Sequence, residues 1–412
     1  MKVNSLRIED VCDFIGGSQP PKSEFAAELR EGFVRLIQTR DYKTNAFLTY
    51  IPKNSIKKFC DEKDIMIGRY GPPIFQICRG LKGAYNVALL KAQPKGNIDR
   101  EYLYYFLKQS SVFQYVDKLS ARTGGQTGVD LVSLNKYPIR LPERIEDQQK
   151  LVAVLCVIDA KIELNNRINA ELEAMAKTLY DYWFVEFDFP NTNGKPYKTS
   201  GGKMAYNTRL KRDIPDGWSD GVLNDLGEIV GGSTPPTINP DNFCENGTPW
   251  ITPYDLSNNK GNKFISQGMQ HVSLTGIANA SLRTLPKDSI LLSTRAPIGY
   301  MAIASNPLTT NQGFKSFIPN KGFSTLFIYF SIQSNLKTII QHGSGSTFKE
   351  ISASVLKSIK VCLPEAGTRE NFNVATENIF KRQNLLELEN QQLTQLRDWL
   401  LPMLMNGQVK VQ

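Results

Sequence analysis

A mixed α/β domain present twice, each copy followed by a long helix, is the fold that the 412 residues predict. Three observations carry it. A block near the N-terminus returns at a period of roughly 215 to 225 residues, the mark of domain duplication rather than of a short-period solenoid. Within each copy, short β-rich runs bounded by Gly and Pro alternate with aromatic stretches of helical length. Behind each copy lies a proline-free window with apolar residues at every seventh position.

The repeat is clearest where IEDVCDFIGGSQPP, Ile8 to Pro21, returns as LNDLGEIVGGSTPP, Leu223 to Pro236. Asp10, Gly16, Gly17, Ser18, Pro20 and Pro21 recur as Asp225, Gly231, Gly232, Ser233, Pro235 and Pro236. Further matches follow in the same order: Asp64 to Arg69 with Asp288 to Arg295, Ala84 to Val87 with Thr309 to Gln312, and Tyr102 to Tyr105 with Phe327 to Phe330. Then Thr123 to Thr127 pairs with Gly343 to Thr347, and Ile139 to Pro142 with Val361 to Pro364. Each match is short, and their common order is what establishes the duplication. Ile65 to Ile67 and Ile290 to Leu292 read as strands, and Tyr102 to Phe113 and Phe327 to Leu336 as helices covering a sheet.

In the first proline-free window Leu151, Ile158, Asn165, Leu172 and Leu179 form a heptad row, with Val154, Ile168, Met175 and Tyr182 as the expected second row. In the second, Phe372, Ile379, Leu386, Leu393 and Leu400 form the row, with Ala375 and Leu396 beside them. Heptads sustained this long argue for coiled-coil pairing, and each window would make ~55 to 60 Å of helix. Burying both seams against each other is the simplest arrangement, antiparallel so that equivalent domains lie at opposite ends. Asn165, polar in a seam row, either fixes register or is a tolerated residue near solvent. The expected boundaries are residues 1–143 for the first domain, 144–186 for the central helix and 187–215 for a basic loop-like linker. The second domain takes 216–364, and the C-terminal helix with its tail 365–412.

The net charge of +9 and pI near 9.1 fit a partner that is a polyanion such as nucleic acid, and equally a solvated basic surface. Cys12, Cys60, Cys78, Cys156, Cys244 and Cys362 form no CxxC pair, and His271 and His342 are the only histidines. No metal site is expected, and reduced thiols suit a cytoplasmic protein. The N-terminal MKVNSLRIEDVCDF has no apolar signal core, and no run of about 18 apolar residues occurs, so no membrane span is expected. The Asn-Pro-Pro-aromatic run of an adenine methyltransferase, a glycine-rich cofactor loop and the GxxxxGK[ST] phosphate loop are all missing, so no catalytic residues and no cofactor are assigned to this chain.

Reading DNA sequence needs side chains that bond base edges: Arg for guanine, Asn or Gln for adenine, Ser or Thr for either. Phosphate contacts need Lys, Arg and free backbone N–H groups. The duplicated loops supply both. The candidates in the first copy are Ser18, Gln19, Lys22, Gln38, Arg40, Tyr42, Arg69, Tyr70, Asn86, Arg122, Gln126 and Thr127. Those in the second are Ser233, Thr234, Thr252, Tyr254, Asp255, Thr294, Arg295, Asn311, Gln312, Ser344, Ser346, Thr347 and Lys349. Asp10 and Asp225 are read as stabilising local backbone. Lys195, Lys198, Lys203, Arg209, Lys211 and Arg212 of the linker are read as a solvated connector or as phosphate contacts.

Two Gly-Gly-Ser-x-Pro-Pro domains, a first helix ending in Leu179-Tyr-Asp-Tyr-Trp-Phe184, and Ile214-Pro-Asp-Gly-Trp218 opening the second domain together make a pattern. Over nearly the whole chain it resembles type I restriction-modification specificity subunits. The resemblance implies two target-recognition domains separated by two long antiparallel coiled-coil helices, each domain reading half of a split double-stranded DNA site. It implies that the helices set the gap and dock two methyltransferase subunits, and through them the restriction subunits. Adenine-N6 methylation by base flipping would then belong to the partners, with their S-adenosylmethionine, ATP and Mg. Because Arg69-Tyr-Gly-Pro-Pro73 differs from Arg295-Ala-Pro-Ile298, the expected target is asymmetric. Alternative readings are a coiled-coil scaffold, an orphan or inactive DNA-binding protein, and a stand-alone DNA-modifying enzyme.

Overall fold

The computed structural model describes residues 2–71, 73–120, 128–295, 297–343 and 349–409. It divides into two compact units, Met1–Ile162 with Gln392–Gln412, and Glu163–Gln391.

The first unit holds a four-stranded sheet in the order Cys12–Gly16, Leu89–Pro94, Ile65–Gly68, Ile77–Cys78, and a second in the order Tyr50–Pro52, Phe33–Ile37, Gly83–Tyr85, Phe59–Cys60. Every residue of Ile65–Gly68 is buried, the signature of a strand covered on both faces. The helix Arg100–Leu107 starts where the Asp99 side chain accepts hydrogen bonds from the backbone N–H groups of Glu101 and Tyr102. This satisfies donors that a helix start leaves unpaired. Its residues Tyr102 to Leu107 are all buried.

The second unit repeats the plan. A five-stranded sheet runs Glu228–Gly231, Lys315–Ile318, Ile290–Thr294, Ile298–Ala304, Phe264–Ile265, beside a three-stranded one of Gln270–Val272, Phe243–Ile251 and Thr309–Thr310. Ser324 caps the covering helix Thr325–Ser334 as Asp99 caps its counterpart. Each copy is closed by an antiparallel pair: Val3–Arg7 with Pro138–Pro142, and Ser219–Val222 with Lys360–Leu363.

The two long helices are Ile145–Tyr180 and Ala366–Met405. The first ends in a wide turn, Asp181–Val185, which turns both Trp183 and Phe184 inward. Their rings, with Tyr180, Phe327 and Phe372, form an aromatic cluster with Phe184 centred 4.8 Å from Phe327 and 4.9 Å from Phe372. The helices pair antiparallel in each unit. In the second, Asn165 meets Asn390 while Gln383 meets Glu173. In the first, Asp159 meets Arg397, and Leu151 and Leu155 share a core with Leu401 and Leu404.

The expected first heptad row is the row that faces the partner helix: Leu151, Ile158, Asn165, Phe372 and Leu386 are buried, and Leu172, Leu179, Ile379, Leu393 and Leu400 are half-buried. The expected second row is wrong by one residue. Val154, Met175, Tyr182, Ala375 and Leu396 are exposed and Ile168 is half-buried. The seam is completed four positions on from the first row, by Leu155, Ala176 and Trp183 on one helix and Thr376, Gln383, Asn390 and Leu404 on the other, all buried. Asn165 is fully buried, its Nδ2 donating to Glu389 Oε2 at 2.8 Å and Asn390 Oδ1 at 2.9 Å.

The stretch expected as a loop-like linker is folded instead. Phe189 stacks between Tyr197 and Trp218, with centroids 4.6 and 5.1 Å away, and Met204–Asn207 pairs with Arg212–Pro215 as a hairpin. Three aromatic rings in sandwich hold it against the second unit's core, which outweighs its polar, glycine-containing composition.

Candidate nucleic-acid interface

The same backbone scaffold forms one face of each unit. Phe33–Ile37 runs parallel to Gly83–Tyr85 with Ile37 opposite Tyr85, and Phe243–Ile251 runs parallel to Thr309–Thr310 with Ile251 opposite Thr310. At the end of each strand pair an asparagine takes over: the N–H of Asn86 donates to the Ile37 carbonyl at 3.1 Å, and that of Asn311 to the Ile251 carbonyl at 3.0 Å. The Gly-Gly-Ser turn crosses here. The Ser18 N–H donates to Tyr85 O at 3.2 Å and the Ser233 N–H to Thr310 O at 3.0 Å. A Cβ on Gly17 would stand 2.1 Å from Asn86 O, and one on Gly232 2.0 Å from Asn311 O, so only glycine permits the crossing.

Two more loops join each face. An aspartate ties the loop after the parallel strand, accepting from the Gln38 N–H (Asp41 Oδ2, 3.0 Å) and from the Thr252 N–H (Asp255 Oδ2, 2.8 Å). The Arg69 N–H donates to Ala88 O and the Thr294 N–H to Gly313 O, both at 2.8 Å. Arg69 and Thr294 in turn accept from the N–H groups of Val129 (3.0 Å) and Ile351 (3.1 Å). Asp10 and Asp225 stabilise local backbone, each accepting at 2.8 Å from the N–H three residues earlier.

On this scaffold Gln19, Lys22, Arg40 and Tyr70 are exposed in the first unit, and Thr234, Tyr254, Arg295, Gln312 and Lys349 in the second. Ser18, Ser233 and Arg69 are half-buried. The Arg69 guanidinium sits 5.0 Å over the Tyr70 ring, and Thr234 donates to Gln312 Oε1. Arg122, Gln126, Thr127, Ser344, Ser346 and Thr347 lie outside the described residues. Their described neighbours Gly128 and Glu350 bridge to Tyr70 and Arg295, on the two faces.

Several candidates build the face rather than line it, a correction to the loop-chemistry reading. Asn86 is 8% exposed, and its Oδ1 is taken by the Ala88 N–H at 3.1 Å, as Asn311 Oδ1 is by the Gly313 N–H at 3.0 Å. Thr294 is fully buried, its hydroxyl donating to Gly313 O. Thr252 caps the helix Pro253–Asn258, its hydroxyl donating to the buried Asp255 at 2.6 Å. Gln38 is half-buried and donates to the Thr49 hydroxyl. Tyr42 is half-buried among apolar side chains, and burial pushes its phenol up. Burial also raises Asp41, against the Gln38 N–H and the Arg35 and Arg40 guanidinium groups. Short polar side chains at strand ends serve backbone geometry as readily as bases, so composition does not separate the two.

Two features escaped the sequence reading. Phe47, 60% exposed, carries the Arg40 guanidinium 5.3 Å over its ring. Flanked by Ala46 and Leu48, it carries no sequence signal that sets it apart from a core residue. In the second unit His342 and Lys360 join Arg209, Lys211 and Arg212 of the expected linker around a cavity of about 660 Å3, Asp220 pairing with Arg209 at 2.9 Å. Among the described residues no His, Cys, Asp and Glu group could hold a metal, and no helix is long and apolar enough to cross a membrane.

The family model for the type I restriction modification DNA specificity domain matches twice, over residues 2–174 and 215–396. The chain belongs to that family. It is thus a DNA sequence-specificity subunit of a type I restriction-modification system. The specificity subunit is 27% identical over 368 residues to the type I restriction enzyme HindI specificity subunit of Haemophilus influenzae, covering 77% of this chain and 79% of that one. It is 37% identical over 200 residues to the MjaIX specificity subunit of Methanocaldococcus jannaschii, 45% of each chain. The crystal structure of the type I S subunit from M. genitalium shares its fold, with a TM-score of 0.59 at 15% identity over 98% of this chain and 96% of that one.

Proposed function

We propose that the specificity subunit reads an asymmetric, bipartite double-stranded DNA target, one half with each copy, and performs no chemistry itself. The observation that carries this is the contrast between scaffold and lining. The two faces share their backbone hydrogen bonds, yet Gln19, Arg40 and Tyr70 stand where the other has Thr234, Tyr254 and Arg295. Equal frames with unequal exposed side chains suit two different half-sites, since side chains at the groove carry the discrimination. Lys211 and Arg212 suit phosphates, so binding weakens steeply as salt rises.

The helix pair sets the gap between half-sites and docks two methyltransferase subunits, which in turn carry the restriction subunits. Adenine-N6 methylation, S-adenosylmethionine, ATP and Mg belong to those partners, and the complex works in the cytoplasm. Single-molecule sequencing of host DNA, with and without this gene and with the methyltransferase partner expressed, tests the reading. Loss of one bipartite N6-methyladenine motif on deletion is the expected result. An unchanged methylation pattern beside an active partner overturns it.

A further inference from the structure

In the second unit one lysine ties four elements together. Lys263 immediately precedes the sheet-edge strand Phe264–Ile265, and its side chain is 5% exposed. Its ammonium pairs with Glu173 of the first long helix and donates to Gln383 Oε1 of the second at 3.1 Å. It also lies 5.0 Å over the rings of both Tyr329 and Phe330 on the covering helix. The backbone is held as firmly: the N–H groups of Lys263 and Phe264 each donate at 2.9 Å to the buried carboxylate of Glu387.

The edge strand connects to the face through its sheet. Phe264 and Ile265 pair in parallel with Ile303 and Ala304 of the strand Ile298–Ala304. Ile303 in turn lies opposite Ile290 of the strand Ile290–Thr294, which runs directly into Arg295. That pairing gives a shift of the edge at Lys263 a route through Ile303 and the buried strand Ile290–Thr294 to the exposed Arg295 of the face.

We infer that Lys263 is a positioning residue for the second half-site: by pinning the sheet edge to both long helices it fixes the angle at which this copy presents its face. The inference rests on the proposed reading of the helix pair as the element that sets the gap. A helix spacer can discriminate gap lengths only if the domain mounted on it does not rock. A buried ammonium held by a carboxylate, an amide and two aromatic faces supplies that stiffness. The adjoining cavity of about 540 Å3, lined by Asn166, Asn169, Glu173 and Tyr329 among others, leaves the loop room to move once the ammonium is gone.

The test uses the full specificity subunit assembled with its methyltransferase partner. The probe is a panel of duplexes carrying both half-sites at the native gap and at gaps one base pair longer and shorter. Wild type is expected to prefer the native gap sharply. Lys263→Met is expected to cut that preference at least tenfold, chiefly by gaining on the wrong gaps, while Lys263→Arg restores most of it. Uniform weakening at every gap, or an unchanged profile, overturns the inference, because lost stability alone does not redistribute affinity among gaps. If Lys263→Met does not fold, Glu173→Gln, which keeps the lysine and breaks its ion pair, is put through the same panel with the same two outcomes. A wild type indifferent to gap length instead overturns the reading of the helices as a spacer.

Discussion

The two copies share a backbone scaffold and differ in their anchorage. In the first unit two cations lie at the covering helix, Arg79 and Lys108, the latter 4.9 Å over the Tyr104 ring. Arg79 lies 3.9 Å over the Tyr104 ring, pairs with Glu101 at 2.5 Å and approaches Asp159 at 3.8 Å. Asp159 of the first long helix also accepts from the Tyr105 hydroxyl at 2.7 Å and pairs with Arg397 of the second at 2.9 Å. In the second unit Tyr329 occupies the place of Tyr104, and the cation over it is Lys263, set among Glu173, Gln383 and Glu387. Duplication preserved the use of a cation, a tyrosine face and helix carboxylates, while the identities diverged. One anchor is built chiefly on the guanidinium groups of Arg79 and Arg397, which stay charged at any working pH, with Lys108 beside them. The other is built on a lysine and a glutamate whose ionisation burial opposes.

Breaking the first anchor should produce the largest effect. Asp159→Asn removes the carboxylate shared by Arg397, Arg79 and the Tyr105 hydroxyl; because Arg397 keeps Asp398 and Arg79 keeps Glu101, the loss should be about 1–3 kcal/mol. Glu173→Gln, at a carboxylate about a third exposed, should cost clearly less because water replaces part of what is lost. Urea unfolding of both variants gives the ordering. Equal losses would erase the distinction between the anchors.

Acidity separates them next. Burial raises Glu387 to about 7, with the Lys263 and Phe264 N–H groups and the Lys263 ammonium opposing, and Glu173 adding to the rise. A carboxyl whose folded pKa exceeds its unfolded value near 4.5 contributes stability fully present below that value and lost as pH climbs to about 7. Burial works to raise Asp159 too, but hydrogen bonds from Arg397 and Tyr105 and the charge of Lys108 hold it below the usual carboxylate range. Its contribution is present above that range and lost only in acid. Unfolding between pH 5 and pH 7 should therefore show stability falling with pH by at most about 3 kcal/mol, with a shallower slope for Glu387→Gln. Burial lowers Lys263, and its opposite slope belongs to higher pH. A slope indifferent to Glu387 would refute the assignment.

The shared frame predicts equality where the anchors predict contrast. Gly17→Ala and Gly232→Ala each force a carbonyl oxygen to retreat, and overpacking of this kind costs about 1–3 kcal/mol. Matched losses by thermal unfolding are expected. A large loss in one copy alone would mean that the crossings are not equivalent.

The duplication and the helices were legible because they rest on glycine, proline and heptad spacing, which the chain cannot alter without changing fold. The first heptad row was legible for the same reason. The second row was not, because the positions that complete it include Thr376, Gln383 and Asn390, polar residues buried against polar partners such as Glu173 and Asn166. An apolar pattern search passes over such a row and settles on the exposed Val154, Met175 and Leu396 one position away. The face was legible as a set of loops. Which of its polar side chains point outward was not, since Thr294 and Asn86 serve the backbone while Arg40 and Tyr254 do not.

That last distinction yields the smallest and sharpest test. If Asn86 and Asn311 hold the loop, replacing either by Ala removes an acceptor from the N–H two residues on. The loss should be about 1 kcal/mol of stability, somewhat more for the buried Asn86. DNA affinity of the folded variants, measured well below their unfolding transitions, should then change little. Were either amide bonded to an adenine, its removal would cost about 1–3 kcal/mol of discrimination at a single base pair, with stability hardly touched. Titrating each variant against duplexes altered one base pair at a time distinguishes a residue that shapes the reading face from one that reads. Arg40→Ala and Tyr254→Ala in the same assay should show the opposite pattern, each confined to one half-site.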